Sequence, residues 1–79
     1  MKVLFFAQGR LATSCENYVL PTDRVLTQPE FWQALIAAFP GLAAHQKTTR
    51  LARHETYLQA DETLYPDDEI ALIPPVSGG

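Results

Sequence analysis

Thr27-Gln28-Pro29-Glu30-Phe31-Trp32-Gln33-Ala34-Leu35-Ile36-Ala37-Ala38-Phe39-Pro40-Gly41 is the stretch on which the fold turns. Thr27 followed three residues later by Glu30 is a capping box: the hydroxyl accepts from the Glu30 N–H while the carboxylate reaches back to the Thr27 N–H. Pro29 is tolerated in the first turn, where its missing N–H has no intrahelical partner. Apolar side chains then fall at Phe31, Leu35, Ala38 and Phe39, with Trp32 and Ile36 widening the stripe. Pro40-Gly41 stops the helix. The product is one amphipathic helix with a broad apolar face, shaped to cover one side of a sheet.

Strands are predicted on either side of it. Lys2 to Gln8 is rich in Val, Leu and Phe, is apolar on both faces and ends at Gly9, which fits a short buried strand. Glu16 to Leu20 is a second strand, closed by Pro21. The stretch between them, residues 9 to 15, holds no more than a turn or one short helical turn, so the two strands form a hairpin-like pair. Past the helix, residues 42 to 48 fit a short helix or a loop equally. Arg50 to Arg53 and Thr56 to Leu58 are short strands around a turn at His54-Glu55. Asp61 to Asp68 is polar, with a turn at Pro66-Asp67-Asp68. Glu69 to Ile73 is the last strand, with Ile70 and Leu72 on one face. Pro74-Pro75 ends pairing, since neither residue has an N–H to donate.

Two strands, a helix, then further strands make an α+β arrangement with a mixed sheet covered by one main helix. The first and last strands are the most apolar and are expected side by side at the sheet centre. This is the ubiquitin-like β-grasp layout. Residues 1–75 form one domain, and 76–79 run out as a flexible tail.

Size and charge narrow the function. A chain of 79 residues buries a modest core and cannot easily also enclose a substrate pocket. Its 47% apolar content marks it as globular rather than disordered. A net charge of −3 argues against nucleic acid or an anionic membrane as partner, because both require a cationic face. Val3-Leu4-Phe5-Phe6-Ala7 is too short for a signal peptide, no stretch reaches transmembrane length, and the cytoplasm is the expected compartment.

Side-chain chemistry is sparse. Zinc needs about four closely spaced ligands, and Cys15, His45 and His54 do not supply them; no metal is expected. No triad motif surrounds Cys15, which reads as a loop or partly buried thiol. No Gly-rich phosphate loop is present. His45 and His54 read as exposed loop histidines. Asp61, Glu62, Asp67, Asp68 and Glu69 read as a solvated face.

The C-terminus carries the chemical interest. Glycine lacks a Cβ, so Gly78-Gly79 is the slimmest chain end available and can thread a channel closed to side chains. Pro74 and Pro75 stiffen the exit and aim the tail away from the sheet. Ile73-Pro74-Pro75-Val76-Ser77-Gly78-Gly79 resembles the terminal signature of sulfur carriers of the MoaD/ThiS family, in particular the small subunit of molybdopterin synthase. Val3-Leu4-Phe5-Phe6-Ala7 is similar to that family's opening strand, and Asp68-Glu69-Ile70-Ala71 to its run into the last strand.

The resemblance implies a mechanism. A ubiquitin-activating-type adenylyltransferase uses ATP to convert the Gly79 carboxylate into an acyl-adenylate, and a sulfur donor then displaces AMP to leave a thiocarboxylate. The tail Pro74, Pro75, Val76, Ser77, Gly78 inserts into the large synthase subunit. There the sulfur attacks cyclic pyranopterin monophosphate on the way to molybdopterin. Sulfur is thus carried covalently on Gly79, no cofactor is bound, and the chain is non-catalytic by itself. A thiocarboxylate is a soft nucleophile that needs no neighbouring base.

Strand alternation also outlines a partner surface. With Val3 and Phe5 under the helix, Leu4 and Phe6 turn to the opposite face, as do Ala71 and Ile73. Phe6, Tyr57 and Ile73 are expected to form an exposed apolar patch, and the resemblance places partner contacts at the same three positions. Three rival readings share these residues: a ThiS-like carrier for thiamine thiazole synthesis, a ubiquitin-like protein modifier, and an interaction domain with an inert tail. Pro74-Pro75 argues for the molybdopterin branch over the first.

Overall fold

The expected capping box is present and sets the geometry of the helix. A computed structural model describes residues 1–6 and 13–74. In it, helix α1 spans Gln28–Ala38. Thr27 Oγ1 accepts from the Glu30 N–H at 3.3 Å, and Glu30 Oε1 accepts from the Thr27 N–H at 2.9 Å. The bond from the Thr27 backbone, with a second from Arg24 Nη1 at 3.3 Å, holds the Glu30 carboxyl below the usual glutamate range. A folded-state value below the unfolded one gives stability that is present above the unfolded pKa and lost as pH falls through the folded one. Thr27→Ala removes the hydroxyl half of the box and is expected to cost about 1 kcal/mol in urea unfolding.

The helix ends where Pro40-Gly41 predicts, and of the two readings of residues 42 to 48 the short helix holds for most of the stretch. The α-helix ends at Ala38 with Phe39 as its C-cap, and the chain continues directly into a 3-10 helix, Pro40–His45. Proline is compatible with a first helical turn, so it closes one helix and opens the next. This second turn delivers Leu42 into the core at 1% exposure. The buried face of α1 is Phe31, Trp32 and Leu35, with Ile36 and Phe39 half-buried and Ala38 exposed. Trp32 is therefore a full core residue, and Ala38 is not part of the stripe.

Beneath the helix lies a five-stranded sheet. Its strands are β1 (Lys2–Phe5), β2 (Asn17–Val19), β3 (Arg50–Arg53), β4 (Thr56–Tyr57) and β5 (Glu69–Ile73). The spatial order is β2-β1-β5-β3-β4. β1 and β5 lie side by side at the centre, as their apolar runs foretold; they pair in parallel, and every other pair is antiparallel. β2 and β4 are shorter than the predicted strands. β1 ends at Phe5, one residue short of the described Phe6, while residues 7 and 8 of the expected strand and the tail from Pro75 onward lie outside the described residues.

The core forms between one sheet face and the helices. Val3, Phe5, Ile70 and Leu72 project from the central strands against Phe31, Leu35 and Leu42, each almost fully buried. Each such side chain contributes about 1.5–3 kcal/mol of burial. Leu64 joins them at 0% exposure although it sits in the stretch read as polar. An isolated antiparallel bridge to Leu26 holds it there, with N–H···O bonds of 2.9 and 2.8 Å in the two directions.

The acidic stretch is likewise more than a solvated face. Arg53 Nη1 donates to Asp68 Oδ2 at 2.7 Å and to the Thr63 carbonyl at 3.0 Å, while Nη2 meets Glu62 Oε1 at 3.4 Å. Asp68 Oδ2 also accepts from the Tyr65 N–H at 2.9 Å. Arg53 and Asp68 are about five-sixths buried, with side-chain exposures of 17% and 15%, so solvent screens this pair less than a surface one. It fastens the loop carrying Leu64 to the end of β3. Asp68→Ala is expected to destabilise by about 2 kcal/mol, seen as a lower urea midpoint at unchanged slope.

Candidate functional site

The face of the sheet away from α1 has no covering element among the described residues. Strand register assembles one row across it: Leu4 opposite Ala71, Ala71 opposite Ala52, and Ala52 opposite Tyr57. Directly opposed side chains share a face, so the row is apolar from β1 to β4. Phe6 lies just beyond β1 at 41% exposure, and Tyr57 stands at 42%. Ile73 is half-buried. Phe6 and Ile73 line one shallow hollow with Leu4, Ala52 and Ala71.

Tyr57 shares the face but does not line the hollow. Its ring lies under the guanidinium of Arg50, with 3.7 Å from the guanidinium carbon to the ring centroid. Arg50 itself pairs with Ile73 across β3 and β5. The expected triple is thus a Phe6–Ile73 pair with Tyr57 beside it, capped by a cation that the patch reading omitted. An arginine over a tyrosine ring is a favourable contact, but it joins residues seven apart on neighbouring strands and has no local sequence signature.

Two further features frame the face. The β3–β4 turn runs through His54 and Glu55 with φ of 53° and 63°. Two successive left-handed residues match the tight hairpin turn whose twist suits the strands, a geometry that usually selects Asn or Gly. His54 and Glu55 are both exposed there and sit on the rim of the hollow. On the opposite side Lys2 Nζ lies 3.8 Å from Glu69, an exposed pair that contributes little to stability.

β5 ends at Ile73, beside the hollow, and Pro74 follows it out of the ladder. Pro75, Val76, Ser77, Gly78 and Gly79 lie outside the described residues. Cys15 is half-buried against the core edge, as read. His54 is exposed, whereas His45 is half-buried at the end of the 3-10 helix rather than in an exposed loop. Among the described residues no three His, Cys or carboxylate side chains converge as a metal site requires, and no helix is long and apolar enough to cross a membrane.

Comparison with known proteins fixes the lineage. The ThiS family pattern matches residues 3–79. The chain belongs to the ThiS family. Among related proteins of this ThiS-family chain is the molybdopterin synthase sulfur carrier subunit of Arabidopsis thaliana, 33% identical over all of this chain and 82% of that one. The Drosophila melanogaster protein of the same name is 34% identical over 98% of this chain and 88% of its own. The human one is 29% identical over 100% and 93%. Among solved structures, small archaeal modifier protein 1 of Haloferax volcanii superposes with a TM-score of 0.78 at 24% identity, covering 99% of this chain and 97% of that one. A chain in the complex of subunits 1 and 2 of the molybdopterin-converting factor of Helicobacter pylori gives 0.66 at 24% identity, covering 99% and 96%. These two likenesses establish the β-grasp fold of this ThiS-family chain.

Proposed function

We propose that this chain is the sulfur carrier subunit of a molybdopterin synthase. The carrying observation is the full-length match to several proteins of that name, on a fold whose central strand β5 leads directly into Pro74 and the glycine-ended tail. The chemistry follows from the terminus. A carboxylate is a poor electrophile until one oxygen becomes a good leaving group. The Gly79 carboxylate attacks the α-phosphorus of ATP on an adenylyltransferase, pyrophosphate departs, and an acyl-adenylate remains. Hydrogen sulfide, supplied at that oxidation level by the sulfur source, then attacks the acyl carbon; the bond to the adenylate oxygen breaks, AMP departs and the thiocarboxylate remains. Gly79 is the reacting residue, and Pro74, Pro75, Val76, Ser77 and Gly78 form the insert that carries it into the large subunit. There its sulfur attacks cyclic pyranopterin monophosphate.

Phe6, Ile73 and Tyr57 are the docking residues for the large subunit in this reading. An apolar surface on the open face of a sheet suits a partner that must hold the carrier while the tail reaches inward. Phe6→Asp places a charge in that contact and is expected to weaken binding by about 2 kcal/mol or more in calorimetry, with melting unchanged. Unchanged affinity removes Phe6 from the interface. The branch is tested by presenting the charged protein to a molybdopterin large subunit and to a thiazole synthase. Molybdopterin formation from the first alone is expected; turnover only with the second transfers the chain to the thiamine branch.

A further inference from the structure

Register across β3 and β5 sets Arg50 opposite Ile73, the last ladder pair before Pro74. Opposed side chains share a face, so Arg50 stands on the open side of the sheet with Ile73. Its guanidinium lies there over the Tyr57 ring, 3.7 Å from the centroid. Lys2, Arg24 and Arg53 each lie beside a carboxylate, whereas the exposed Arg50 has none within ion-pair distance among the described residues. The other charges of this face sit at its far end: Lys2 with Glu69, where β5 begins, and the turn His54-Glu55 that follows β3. The end from which the tail departs thus carries one unbalanced cation. Its five N–H donors form a fork that matches a carboxylate, and the Tyr57 ring orients it before any partner arrives.

We propose that Arg50 is the polar anchor of the docking face and receives a carboxylate of the large synthase subunit. The partner's identity rests on the carrier reading. The argument is one of desolvation. A protein seated on Phe6 and Ile73 also covers Arg50, the direct neighbour of Ile73. Covering a charge without a partner is strongly unfavourable. An acidic side chain opposite Arg50 removes that penalty and fixes the register in which the two proteins meet. A nucleic acid fits poorly, because it requires several cations and this chain has a net charge of −3. The phosphates of ATP fit poorly as well. Residues 74–79, extended into a channel, span about 20 Å, which carries the reacting carboxylate far beyond the reach of Arg50. Arg50 is therefore a positioning residue: it sets where the carrier sits and touches no reacting atom.

The test measures binding of the full-length chain to the large subunit by calorimetry at several salt concentrations. Arg50→Met keeps an apolar stem and removes the charge, and Arg50→Glu reverses it. Lys47→Met is the control. Lys47 is exposed and also lacks a carboxylate partner among the described residues, but it borders a hollow beside Trp32 on the helix side of the sheet. Thermal melting is expected to show the fold intact in all three. At low salt, binding is expected to weaken about tenfold in Arg50→Met and about 100-fold in Arg50→Glu, with Lys47→Met within about twofold of wild type. Both Arg50 deficits shrink as salt rises, because a charge pair at the rim of an interface is screened and an apolar contact is not. Arg50→Met binding within about twofold of wild type overturns the proposal. So does a deficit that salt leaves unchanged, which assigns the contact to the stem. An equal loss in Lys47→Met overturns it too, since net charge then acts without regard to place. In these three cases the large subunit still binds wild type and the carrier reading stands. If it does not bind wild type, the carrier reading fails and the proposal falls with it.

Discussion

Removal of Gly79 is expected to abolish thiocarboxylate formation while leaving thermal unfolding unchanged. The reacting group in the proposed mechanism is the terminal carboxylate, so the deletion moves it back by one residue, about 3.5 Å of extended chain. Displacement of a reacting atom by about 1 Å can already cost 100-fold in rate, and a shift of several ångströms leaves no productive geometry. Gly79→Ala probes the same site more gently. It keeps the length and adds only a Cβ, so a slow but measurable charging rate is expected if the channel is narrow. The fold is insulated from both changes, because the buried side chains among the described residues end at Leu72. Intact mass after incubation with ATP, activator and sulfur source reads the first effect, and calorimetric melting reads the second. Charging of the shortened chain at the wild-type rate would place the acceptor elsewhere.

Phe31→Ala is expected to remove about 3–5 kcal/mol of stability, the cost of emptying a fully buried aromatic site. Phe31 has 0% exposure and sits with its ring edge-on to Trp32 at 6.0 Å between centroids. Trp32 and Leu35 are committed to the same sheet, so the cavity has little room to collapse. Domains of this class are stable by about 5–15 kcal/mol in total, the smallest at the lower end. The variant therefore loses much of its margin, and its melting temperature falls by about 4–8 °C per kcal/mol. Val19→Ala, at 68% exposure on the edge strand β2, is the control and is expected to lie within about 0.5 kcal/mol of wild type. A Phe31→Ala cost below about 1 kcal/mol would contradict the packing of α1 on the β1–β5 face.

Much of the architecture is legible because its signals are local. The Thr27/Glu30 box, the apolar run of β1 and the alternation Ile70-Ala71-Leu72-Ile73 each follow from a few neighbouring residues, and the structure has all three. Leu64 escaped because a lone leucine among acidic residues has no period, and only the Leu26 bridge draws it inward. Arg53 escaped for a related reason. Its partners Glu62 and Asp68 lie nine and fifteen residues away, and nothing local distinguishes them from solvated acids. The open face was legible at Phe6 and Ile73 through alternation, with Tyr57 added as a neighbour from an adjoining strand. The stacking of Arg50 on Tyr57 depends on which strands become neighbours.

The central claim is that sulfur travels on Gly79, and its most direct test uses the Cys15→Ser variant, since Cys15 is the chain's only cysteine. The variant is incubated with a cognate adenylyltransferase, ATP and a sulfur source, and the intact protein is then fragmented from its C-terminus. Fragmentation is required because exchanging oxygen for sulfur adds nearly the same mass as oxidising Met1. The account predicts that the added mass lies on Gly79 and that a thiol alkylator modifies that residue alone. An unmodified Gly79, after an activator that charges its own validated carrier under the same conditions, would contradict it.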